Sequence, residues 1–82
     1  MDAVRFLEWL TTEKNMGTRS AKDVLSRCGR VSRMLNIKEI EEGTFPLLLE
    51  SSDFQSSSMF VKSQLKRAVS LYLEFSVEQE KV

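Results

Sequence analysis

This chain of 82 residues contains no histidine and only one cysteine, and both shortages limit its chemistry. Without histidine it lacks the commonest general base and the commonest nitrogen ligand for metals. A single cysteine cannot form an internal disulfide, nor build a Cys/His zinc site within one chain. We therefore expect a protein that is not an enzyme and uses no metal or cofactor. The missing disulfide is typical of a reducing compartment, and we expect a cytoplasmic location.

Glycine, proline and long apolar runs are also scarce. The three glycines (Gly17, Gly29 and Gly43) stand too far apart for a glycine-rich phosphate loop. No apolar run approaches the roughly 20 residues that span a bilayer, and the first residues lack the features of a secretory signal. A hydrophobic content of 41% is close to the globular average. These features predict one soluble domain over residues 1–82, with no membrane partner.

The net charge of zero hides an uneven distribution of charge. Six basic residues lie between Arg19 and Lys38, where Asp23 is the one acid. The next fifteen residues, 39–53, carry five acids and no base. Such asymmetry within a small domain indicates a charged partner. The acids lack the spacing of a calcium loop, so we interpret them as solvated.

Helical spacing dominates the first half of the chain. Asp2 is placed to cap a first helix that fades near Lys14. Thr18 is the predicted N-cap of a second helix ending near Asn36. Its predicted apolar stripe consists of Ala21, Val24, Leu25, Cys28, Val31 and Leu35. Gly29 lies on its outer side, and either a helix break or the close approach of another backbone would explain it.

The second half predicts two more helices and a capping loop. Thr44 can cap a short helix in which Pro46 is tolerated and residues 47–49 supply leucines to the core. The serine-rich stretch 51–58 is predicted to be a loop. A final helix over 57–75 has this predicted core face: Phe60, Val61, Leu65, Ala68, Leu71, Tyr72 and Phe75. The predicted fold is an all-α bundle of four to five short helices, ordered over about 2–76, with a frayed polar tail at 77–82.

Several of these segments resemble one family along most of the chain. The run from Phe6 to Leu10 is similar to the opening helix of the N-terminal core-binding (SAM-like) domain of tyrosine recombinases, or phage integrases. The run from Gly17 to Ala21 resembles that family's repeated signature, and Ser58 with Val61 resembles its second copy. The apolar positions that continue the two copies are Leu25, Cys28, Val31, Leu65, Ala68, Tyr72 and Phe75. Ala21 and Val61 stand where the family often has threonine.

The resemblance implies orthogonal packing of helices and a role in DNA integration or recombination. In that family the catalytic Arg, His and Tyr belong to a C-terminal domain, and nothing in this chain corresponds to it. The resemblance therefore implies a binding half that works beside a catalytic domain.

The candidate DNA-binding residues lie on the second and last helices. They are Thr18, Arg19, Lys22, Arg27, Arg30, Arg33, Lys62, Ser63, Lys66 and Arg67. Arginine's planar fork suits phosphate oxygens and guanine edges, although basic residues opposite an apolar stripe most often form a solvated face. Two hypotheses remain open. The first is a module that grips duplex DNA, and the second is a protein-interaction domain of the SAM or death-fold kind that joins a neighbouring protomer through basic and acidic surfaces.

Overall fold

The computed structural model of the chain describes residues 2–80 and consists of five helices without a strand in that range. The helices are α1 (Ala3–Thr12), α2 (Thr18–Leu35), α3 (Thr44–Glu50), α4 (Ser52–Gln55) and α5 (Met59–Glu80). The predicted all-α bundle is confirmed. None of these helices is long and apolar enough to cross a membrane.

Local sequence explains where most helices begin and end. The Asp2 carboxylate accepts a hydrogen bond from the Arg5 amide at 3.2 Å, so the predicted cap of α1 is confirmed. Asn36 ends α2 in the left-handed conformation (φ 54°), as asparagine can. Ser51 caps α4, and Ser58 Oγ accepts from the Val61 amide at 3.2 Å at the start of α5.

The two predicted threonine caps are displaced by one residue. Gly17 is the N-cap of α2 and makes no side-chain cap bond, while Thr18 is the first helical residue. Gly43 precedes α3 in the same way, and Thr44 is buried. The Thr44 hydroxyl accepts from the Glu41 amide at 2.8 Å, so it holds the preceding loop instead of capping the helix.

The core forms between α2 and α5, with α1 closing one side. From α2 it receives Ala21, Val24, Cys28 and Val31, all buried. From α5 it receives Leu65, Ala68, Val69, Tyr72 and Phe75. The Cys28 thiol lies 3.4 Å from the carbonyl oxygen of Ala68, so the two helices approach closely where both side chains are small. Ile40, Leu48 and Phe54 complete the core from the connecting segments.

An aromatic cluster joins α1 to the end of α5. Phe6 meets Tyr72 edge to face at 4.9 Å between ring centroids and lies 5.3 Å from Phe75. Trp9 packs on Phe75 at 5.6 Å, and its indole N–H donates to the Glu78 carboxylate. Trp9 is therefore buried in the core.

The bond from Trp9 explains why the last helix is longer than predicted. The predicted end at residue 75 and the frayed tail from 77 are wrong for residues 77–80, which continue α5. Glu78 has a partner only after α1 has packed against α5, so local sequence does not reveal it. Lys81 and Val82, the end of the predicted tail, lie outside the described residues.

Three apolar residues predicted to be core are exposed. Leu47 and Leu49 are 50% and 42% exposed, because a short helix buries one narrow face and Leu48 occupies it. Phe60 is 71% exposed in the first turn of α5, before that helix reaches its contacts with α2.

Neither explanation offered for Gly29 applies. Helix α2 runs through Gly29 unbroken, and a methyl group there would meet one atom alone, the Nη1 of Arg33 at 3.4 Å. Because that atom ends a flexible exposed side chain, it can move aside.

Replacing Gly29 with alanine should stabilise the protein by up to about 1 kcal/mol, since glycine is the poorer helix former. Urea denaturation monitored by circular dichroism measures this change. The control is Gly17→Ala, which should not stabilise because alanine is a poor N-cap residue. A destabilised Gly29→Ala variant would contradict an open site at this position.

The adjacent leucines of α3 provide a second test. Leu48 is fully buried, so Leu48→Ala should cost about 2–5 kcal/mol of unfolding free energy. Leu47→Ala should cost less than about 1 kcal/mol, because half of that side chain already meets water. Equal losses in urea denaturation would refute the orientation of α3.

Candidate nucleic-acid interface

The outer face of α2 carries a row of cations, which we call the basic row: Arg19, Lys22, Arg30 and Arg33. All four are exposed, and Arg27 at the flank is half-buried. At about 100° per residue the row occupies the side opposite the buried stripe. Its two ends are fourteen residues apart, or about 21 Å along the helix axis. That length is comparable to about six phosphates of one DNA strand.

The cations of the basic row form no ion pairs with the carboxylates of the described residues. The ion pairs within residues 2–80 join Arg5 to Asp2 at 3.8 Å and Lys14 to Glu74 at 2.6 Å. No residue of the basic row takes part in them, and neither does Arg27. Asp23, on the same helix, forms no ion pair with a described cation. The row therefore presents exposed cationic groups that form no ion pair with a described carboxylate.

One surface depression brings together cations from α2 and α5. Arg27 and Arg67 both line it, with Ser20 and Asp23 beside them. The two arginines each precede a residue of the close contact between Cys28 and Ala68, which explains their proximity. The packing of α2 on α5 thus joins the two basic segments that the sequence kept separate.

A second depression lies at the end of α2. Its lining includes Arg30 and Arg33 together with Asp53, Ser56 and Ser57 from the segment that leads into α5. Asp53 belongs to the acidic stretch, and it is the member of that stretch brought beside the basic row. The Ser56 and Ser57 hydroxyls donate to the Asp53 carbonyl oxygen at 3.1 and 2.9 Å, so their oxygens can still accept.

The candidate residues of α5 fall into two groups. Ser63, Lys66 and Arg67 are exposed, while Lys62 is half-buried. The Lys62 ammonium lies 5.9 Å from the centroid of the Phe54 ring, a cation–π contact that ties it to α4. Lys62 is therefore less available to a phosphate than the sequence suggested. Thr18 is exposed in the first turn of α2.

Sequence reasoning missed Phe60 as a surface residue. It lies seven positions before Arg67, and residues seven apart share a helix face. This spacing already indicated that Phe60 lies on the same face as a cation. The apolar nature of phenylalanine favoured the core assignment, and the packing of α5 decided otherwise.

The other reactive groups include the carboxylates and the single cysteine thiol. No three Asp, Glu or Cys side chains among residues 2–80 come together in a way that could hold a metal ion. Burial raises the pKa of the Cys28 thiol from 9.0 to about 12, so the reactive thiolate is suppressed. Burial, with the Glu39 charge, also raises the pKa of Tyr72.

The raised pKa of Cys28 predicts a loss of stability at alkaline pH. The unfolded thiol loses its proton near pH 9.0 while the folded one keeps it to about 12, so the folded state binds more protons in this window. The contribution of this thiol to the free energy of unfolding is fully present below pH 9.0 and falls as the pH rises towards 12. Between neutral pH and the range from pH 9.0 to about 12, the free energy of unfolding should fall less for Cys28→Ala than for the unaltered chain. Urea denaturation at each pH measures this difference. An identical pH dependence would show that the thiol ionises freely in the fold.

Comparisons with protein-family models, with curated proteins and with solved structures find no match to this chain. The resemblance to recombinase core-binding domains accordingly stays a hypothesis. What supports a function is the arrangement of side chains on α2 and α5.

Proposed function

We propose that this chain is a non-catalytic module that binds duplex DNA through the basic row of α2 and the adjoining cations of α5. The observation that carries this proposal is the exposure of the row without an internal carboxylate partner. Exposed arginines held along a rigid helix can each meet a phosphate without reorganising the fold.

Electrostatics would supply most of the affinity. About three to five phosphate contacts correspond to a slope of about −3 to −5 in log K against log salt concentration. Arg67 and Arg27 would extend the contact from α2 to α5, and Ser63 would allow close approach to a sugar–phosphate backbone. The finer hypothesis, a recombinase core-binding domain acting beside a catalytic domain, depends on the sequence resemblance.

Self-association is the competing interpretation of the same surface. The basic row of one copy would meet carboxylates such as Glu41 and Glu42 of another, which are exposed at a different part of the surface. Such pairing would raise the sedimentation coefficient with concentration and weaken in salt.

Removing two charges from the basic row tests the proposal. Arg30→Gln with Arg33→Gln should weaken binding to a duplex at least tenfold at low salt and reduce the salt slope by about 2, because two phosphate contacts are lost. Fluorescence anisotropy at several salt concentrations measures both quantities.

The matched control removes the same charge elsewhere, as Arg5→Gln with Lys38→Gln. Both residues are exposed and lie off the basic row, so the salt slope should stay close to that of the unaltered chain. If both double variants weakened DNA binding equally, the effect would come from net charge and not from the position of the basic row. No binding by the unaltered chain at low salt would refute the proposal, and salt-sensitive dimers would favour self-association.

A further inference from the structure

Phe60 is the one aromatic residue in 2–80 that is exposed rather than buried or half-buried. The protein has one tryptophan, one tyrosine and five phenylalanines, of which Phe45 is half-buried and the others except Phe60 are buried. Phe60 is 71% exposed and its neighbour Met59 is 77% exposed. Leaving so much apolar surface in water has a free-energy cost that binding could recover.

The position of Phe60 on α5 places it among the cations of the candidate interface. Phe60, Ser63 and Arg67 have the spacing i, i+3 and i+7, so they form one stripe about 10 Å long. Arg67 ends that stripe at the depression it shares with Arg27. The aromatic ring and the arginine pair thus lie on one side of α5.

Phe60 follows three residues after Ser57, which lines the depression at the end of the basic row. Helices α2 and α5 run in opposite senses, since Lys14 before α2 pairs with Glu74 late in α5. The start of α5 accordingly lies near the end of α2, where Ser56 and Ser57 adjoin Arg30 and Arg33. The segment around Phe60 therefore lies between two depressions that contain arginines, one with Arg27 and Arg67 and the other with Arg30, Arg33 and the Asp53 carboxylate.

From this arrangement we infer that Phe60 stacks on an unpaired base of DNA whose backbone the flanking arginines hold. The inference rests on the proposed function and deepens it, because it names a DNA segment with an unpaired base as the preferred ligand. A phenyl ring beside cations suits one whole nucleotide. The ring can stack on the apolar face of the base, and the cations can bind the phosphate. The dispersed exposed residues Val4, Leu47 and Val77 have no comparable set of arginines around them.

The experiment compares a fully paired duplex with the same duplex carrying a central unpaired loop that contains 2-aminopurine. The unaltered chain should bind the looped DNA about 5- to 100-fold more tightly, the range expected for stacking one base, and should quench the 2-aminopurine fluorescence. Phe60→Ala should lose both the preference and the quenching while keeping its affinity for the paired duplex. Phe60→Trp should retain the preference.

Val77→Ala is the matched control, because Val77 is an exposed apolar residue (44%) at the far end of the same helix. It should leave the preference for looped DNA unchanged. Both substitutions alter exposed positions, and an unchanged helical circular dichroism signal verifies the fold.

Four results would overturn the inference, and they lead to different conclusions. Equal affinity for both DNAs, or a preference retained by Phe60→Ala, removes the stacking role and leaves duplex binding intact. Failure of the unaltered chain to bind either DNA removes the proposed function as well. Concentration-dependent dimers that Phe60→Ala abolishes, without any effect on DNA binding, would make Phe60 a contact between two copies.

Discussion

The close packing of α2 against α5 decides which surfaces this small protein can offer. At its centre the Cys28 thiol meets the Ala68 carbonyl oxygen at 3.4 Å, a distance that only small side chains allow. Once these helices are in contact, Ala21, Val24, Cys28 and Val31 of the apolar stripe are buried, and the opposite side of α2 faces water. The same contact brings Arg27 beside Arg67. The proximity of these two cations, which lie on different helices, thus arises from a steric fit in the core.

Beside the contact between α2 and α5, the aromatic cluster holds α1 against α5 and stabilises the last turns of α5. Phe6 and Trp9 pack on Phe75, and the indole donates to Glu78 one turn further along. A buried indole N–H without an acceptor would cost about 1–3 kcal/mol, so this bond favours keeping the last turns of α5 helical. The short helices α3 and α4 each contribute one main anchor, Leu48 and Phe54. Their other apolar side chains remain at the surface for lack of a neighbour.

The lysines and arginines differ in whether they have a partner within the protein. Arg19, Arg30 and Arg33 of α2 are exposed and form no ion pair among the described residues. By contrast, Lys62 is held over the Phe54 ring and Lys14 is paired with Glu74. Cations that already have partners contribute to the fold, and those without partners remain available to an anion. Arg27, Lys38, Lys66 and Arg67 also form no ion pair among the described residues, so what distinguishes the basic row is its alignment on one exposed helix face. That alignment underlies the assignment of the interface to α2 and Arg67.

Sequence periodicity by itself determined the helical class, the bounds of α2 to within one residue and the outward direction of its basic row. The reason is that an eighteen-residue helix with one apolar stripe can bury that stripe in only one orientation. The tertiary structure decided what short or terminal segments could not specify locally. These are the exposure of Phe60 and Leu47, the length of α5 and the partner of Lys62. Each depends on a neighbour distant in the chain, so the physical reason is that burial and pairing are set by contacts between helices.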